Sequence, residues 1–122
     1  MPLCLAAGAA SAVIAANAFT LAWTHSIEKT RWEEDWRIET GALVVDEARI
    51  RGSGAGMEPP AGSVLKDGVW HYRPNLPPQK ALRLSHSPYT AGHELCIAEQ
   101  CRPLADYLPG SAEWTVIELG AC

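Results

Sequence analysis

Apolar and polar side chains alternate with a period of two through much of this chain, and runs of that kind predict strands. Phe19, Leu21, Trp23, His25 and Ile27 share one face of a strand at 18–27, and Trp32, Glu34, Trp36 and Ile38 share one face of the next, at 31–39. Strand signals recur about every ten residues, each closed by Gly, Pro, Asn or Asp. They predict strands at 3–7, 12–16, 18–27, 31–39 and 42–51, a hairpin through Asp67-Gly68, a strand at 80–86, a hairpin about Ala98-Glu99, and a last strand at 113–119. Asp-Gly suits a two-residue type I′ turn. Leu43 and Val45 favour one face of the 42–51 strand while Val44, Ala48 and Ile50 favour the other, and a bulge near Asp46-Glu47 reconciles them. Only Pro103 to Leu108 reads as a short helical turn. The expectation is an all-β fold, a compact antiparallel sandwich or partly closed barrel of about 8–9 short strands.

Length and composition narrow this further. At 122 residues, 48% hydrophobic and 20% charged, residues 1–122 form a single domain with one core. The net charge of −4, with both signs interspersed and no basic block, excludes electrostatic capture of nucleic acid. Residues 1–18 read either as the first strands of the domain or as a weak signal-like segment. Ala16-Asn17-Ala18 resembles a small-x-small cleavage site, but no Lys or Arg precedes it. The segment is too short and too weakly apolar for a membrane span.

Four cysteines bear on that choice. With Ala98-Glu99 as turn residues, Cys96 and Cys101 face each other at a distance a disulfide can bridge. Cys4 and Cys122 pair if the first and last strands are neighbours. Cleavage after Ala18 would remove Cys4 and leave Cys122 alone. An even cysteine count in a small domain favours an oxidising, extracytoplasmic (periplasmic) location over the cytoplasm. A zinc site is the rival reading, but no Cys-x-x-Cys spacing occurs, and neither a metal nor a cofactor is expected.

Candidate chemistry centres on one imidazole and one carboxylate on otherwise apolar faces. A hairpin turning at Glu28–Arg31 sets His25 opposite Glu34, Trp23 opposite Trp36 and Ile27 opposite Trp32. A carboxylate beside an imidazole raises its pKa and fixes its tautomer, so the pair suits proton transfer, the orientation of a metal ligand, or simply a polar contact that holds register. Ser26 points to the opposite face from His25, which disfavours a Ser–His hydrolase pair. Gly52-Ser-Gly-Ala-Gly56 lacks the Lys-Ser/Thr ending of a phosphate loop. It reads as a wide turn or as a rim of backbone N–H groups able to hold an anion. His71, His86 and His93 share no metal spacing and read as surface or edge histidines. Arg31, Glu33, Asp35, Arg37 and Glu39 read as the solvated face of their strand.

The run Trp23-Thr-His25-Ser26-Ile-Glu28-Lys-Thr30, then Glu34, then Gly52-Ser-Gly-Ala-Gly56-Met57 resembles a bacterial family catalogued as domain of unknown function 1850. The resemblance runs from Leu3 to Leu119 and matches His25, Ser26, Glu28, Glu34, Gly54 and Gly56. Such proteins are often encoded beside tripartite ATP-independent periplasmic (TRAP) transporters of the TAXI type, which take up organic acids. The resemblance therefore implies an accessory protein of solute uptake, and the expectation is a non-enzymatic one, with a TAXI-type TRAP component or a small carboxylate as partner. The alternative is a small hydrolase or isomerase using the His25–Glu34 pair.

Overall fold

The computed structural model describes residues 1–24, 30–51, 60–89 and 92–122. These form eleven strands: β1 Leu3–Ala7, β2 Ala10–Ile14, β3 Ala18–Thr24, β4 Arg31–Glu39, β5 Ala42–Arg51, β6 Val64–Lys66, β7 Val69–Tyr72, β8 Ala81–His86, β9 His93–Ile97, β10 Gln100–Pro103 and β11 Thr115–Ala121. A 3-10 turn at Leu104–Tyr107 is the one helical element among the described residues. Every strand pairing is antiparallel. One sheet has the order β2-β1-β11-β8 and the other the order β10-β9-β3-β4-β5-β7-β6. The fold is therefore an open sandwich rather than a barrel. Counting both arms of each short hairpin brings the strands to eleven, above the 8–9 expected.

Turn chemistry explains the hairpins. Thr40-Gly41, Asp67-Gly68 and Ala98-Glu99 each place two successive residues at positive φ, as two-residue turns matching strand twist require. The bulge foreseen in β5 is present. Asp35 pairs with Glu47 but Trp36 pairs with Val45, which leaves Asp46 as the extra residue. Leu43 and Val45 before it, and Ala48 and Ile50 after it, consequently all face inward and are buried.

The core is built from Leu3, Leu5, Ile117 and Leu119 of the smaller sheet against Phe19, Leu21, Trp36, Leu43 and Leu95 of the larger, closed by Leu104 and Leu108. β1 pairs with β11, and Cys4 is bonded to Cys122 with a Cα–Cα distance of 5.8 Å. Cys96, opposite Cys101 across the β9–β10 hairpin, is bonded to it. No described helix is long and apolar enough to cross a membrane.

Candidate functional site

The inner face of the larger sheet carries two rows of interest. One row runs His93, Trp23, Trp32, Ile50, Trp70 and Leu65 across β9, β3, β4, β5, β7 and β6. The next runs Leu95, Leu21, Glu34, Ala48 and Tyr72. The Trp23 and Trp32 rings stack with centroids 6.0 Å apart, and His93 lies tilted against Trp23 at 5.6 Å. Burial, and then the nearby His86, lower the pKa of His93.

His25, Ser26, Glu28, Gly54 and Gly56 lie outside the described residues; Glu34 lies within them. The observed β3–β4 register differs from the expected one. Glu34 stands opposite Leu21, Trp23 opposite Trp32, and Trp36 opposite Phe19. The expected register assumed a tight turn at Glu28–Arg31, whereas the described strands pair only as far out as Thr24 with Arg31. The shift preserves every face and changes every partner. It brings the two indoles together and lets the Thr20 hydroxyl donate to Asp35 at 2.7 Å on the other face. Thr24, Arg31 and Arg51 form one row of strand ends, with His93 one row inward.

Glu34 is a carboxylate between Leu21 and Ala48 with no cation among the described residues. Among the described residues its one hydrogen-bond donor is the Trp36 indole, Nε1 to Oε1 at 3.2 Å. Burial pushes its pKa above the ordinary carboxylate value, and the indole N–H opposes the shift. Burial, followed by the Glu34 charge, also raises the Tyr72 phenol. Stability contributed by a raised carboxyl is present at low pH and falls as pH climbs through the folded-state pKa. Glu34→Gln is accordingly expected to gain on the order of 1 kcal/mol at neutral pH and nothing at acid pH. Urea midpoints at the two pH values check this, and an equal effect at both would refute it.

Glu33 and Asp35, on the opposite face, behave in the reverse way. Arg31, Arg49 and Arg51 all donate to Glu33, at 3.0, 3.1 and 3.0 Å. Arg49 also makes a two-pronged contact with Asp35, at 2.6 and 2.7 Å. Arg31 reaches Glu94 of β9 at 2.7 Å. Burial pushes Glu33 upward, but the three arginines outweigh it and hold the carboxyl below its ordinary range. Arg49 does the same for Asp35. Arg31, Glu33 and Asp35 of β4 thus lie in a half-buried ion network rather than on a solvated face, because β5 and β9 supply their counter-charges, whereas Glu39 is exposed.

A histidine–glutamate pair does exist, at a place the sequence did not indicate. His71 Nδ1 contacts Glu47 Oε1 on the outer face, beside a 320 Å³ hollow lined by Asp46, Glu47, His71, Tyr72 and Arg73. The pairing of β5 with β7 that joins them spans the undescribed glycine segment. The one sequence cue was the bulge next to Glu47. No group of three or more described His, Cys, Asp or Glu side chains is disposed to hold a metal ion.

A family model described as Domain of unknown function (DUF1850) matches residues 19–104. The chain belongs to this family. The DUF1850 match takes in the larger sheet, apart from Ala18, together with β8, and leaves β1, β2 and β11 outside it. No curated protein and no solved structure matches the chain.

Proposed function

We propose that this DUF1850 chain is a non-enzymatic, extracytoplasmic accessory protein of TAXI-type TRAP transport of organic acids, acting by binding a component of the transport system. The observation that supports the proposal is the half-buried aromatic row Trp23, Trp32 and His93, one row inward of the strand ends Thr24, Arg31 and Arg51 of the larger sheet. Aromatic clusters with a polar margin are favoured contact surfaces. Glu34 receives its hydrogen bond from an indole, and Leu21 occupies the position opposite it, so this carboxylate has no imidazole bonded to it among the described residues. Its negative charge also disfavours direct contact with a ligand carboxylate, which turns the proposal toward a protein partner. The two disulfides agree with an oxidising compartment.

The test is co-purification from the native host with the tagged chain. A TRAP component is expected in the eluate, and His25→Ala is expected to reduce its recovery roughly tenfold with the fold unchanged. Absence of any transporter component, or recovery indifferent to His25→Ala, counts against the proposal.

A further inference from the structure

The sandwich has four lateral edges, and three of them are guarded against strand addition. β6 carries Lys66, β8 carries Arg83 and His86, and β10 carries Arg102 and Pro103. β2 carries nothing of the kind. Its sequence is Ala10-Ser-Ala-Val-Ile14, and the first Asp, Glu, Lys or Arg of the chain is Glu28. Ala10, Ala12 and Ile14 pack toward the core, while Val13 is 70% exposed on the outer face beside Ser11. Immediately beyond Ile14 lies a 450 Å³ hollow lined by Met1, Pro2, Ala15, Ala16 and Asn17.

We infer that two copies of this chain pair through their β2 edges, making one continuous eight-stranded sheet across a two-fold axis. A two-fold pairing that engages all five β2 residues centres on Ala12. It sets Ser11 against Val13 of the partner copy, and Ala10 against Ile14, so outer residues meet outer ones and inner meet inner. No like charges meet, although each chain carries a net −4. The antiparallel arrangement also brings the partner copy's exposed Gly8-Ala9 turn to the end of β2 that adjoins the apolar hollow. A second copy satisfies this edge with its own sequence, whereas a charged partner finds no complement on it.

Light scattering across micromolar to millimolar concentrations tests the pairing. The wild-type chain is expected to reach twice its 13.2 kDa mass. Carrying Ser11→Lys and Val13→Lys together sets lysines opposite each other and is expected to hold the chain monomeric. The corresponding double glutamate variant is also expected to be monomeric, and mixing the two is expected to restore a dimer containing one of each. In the wild-type chain, amide exchange over residues 10–14 is expected to slow at least tenfold from the dilute to the concentrated end. A wild-type chain that stays monomeric, a lysine variant that still dimerises, folded lysine and glutamate variants that fail to pair, or exchange independent of concentration would each overturn the inference.

Discussion

Replacing Cys4 and Cys122 together by alanine lowers the unfolding free energy by about 5 kcal/mol, and replacing Cys96 and Cys101 lowers it by about 2 kcal/mol. One bond joins β9 to β10 and the other joins β1 to the residue just past β11, its antiparallel neighbour, so the difference comes from the denatured chain. The first closes a loop with a sequence separation of 118, the second one of 5. Loop-closure entropy grows with the logarithm of that separation. Domains of this size have total stabilities of about 5–15 kcal/mol, so losing the longer bridge brings the fold near its limit. Urea unfolding of the two double variants measures both costs. Equal losses would mean that native-state contacts, not chain entropy, set the effect. The result bears on location as well, because a chain that depends on this bridge is poorly suited to a reducing compartment.

The second large effect is expected at Arg49. Arg49→Met keeps the apolar stem and removes the guanidinium shared by Asp35 and Glu33. Breaking a buried ion pair costs about 3–5 kcal/mol. The side-chain exposures are 17% for Arg49, 12% for Glu33 and 36% for Asp35, and Glu33 keeps Arg31 and Arg51, so about 2 kcal/mol is expected. The pH dependence follows from the sign of the shifts. Both carboxyls lie below their ordinary values of 4.5 and 3.8 in the folded chain. Their contribution is present above those values and disappears as pH falls through the lower folded-state values. The wild-type chain should therefore lose stability on acidification more steeply than Arg49→Met. Parallel pH profiles from neutral down to about pH 3 would sink this account.

Faces were legible in the sequence; partners were not. Alternation identified the inward residues of β3 and β4, the conflict between Val45 and Ala48 located the bulge, and Asp67-Gly68 marked its hairpin. The turn at Ala98-Glu99 placed Cys96 against Cys101. Alternation is unchanged when a strand slides by two or four residues, so nothing in the pattern separated Glu34 facing His25 from Glu34 facing Leu21. The pairing of Trp23 with Trp32 and of Thr20 with Asp35 decided between them, and those contacts exist only once both strands are placed. The β4 charges looked solvated for a similar reason. Arg49 and Arg51 come from the other arm of the β4–β5 hairpin, opposite these carboxylates only in the register that the bulge sets, and Glu94 comes from β9, whose place beside β3 is non-local. The same holds for His71 and Glu47.

The extra residue at Asp46 has a consequence for how this domain tolerates changes of length. Chain length ordinarily varies freely in loops and is fixed within strands only by hydrogen bonding. In β5 it also works like a reading frame. The strand is two half-strands in opposite phase, and Asp46, held by Arg37 at 2.9 Å, is the spacer between them. Removing one residue there would leave composition and hydrophobicity almost unaltered. It would also leave the faces as they are, since Val45 inward, Glu47 outward and Ala48 inward then alternate without a bulge. Straightening the strand with Asp46 kept would instead turn Glu47 and Arg49 toward the core and Ala48 and Ile50 toward solvent.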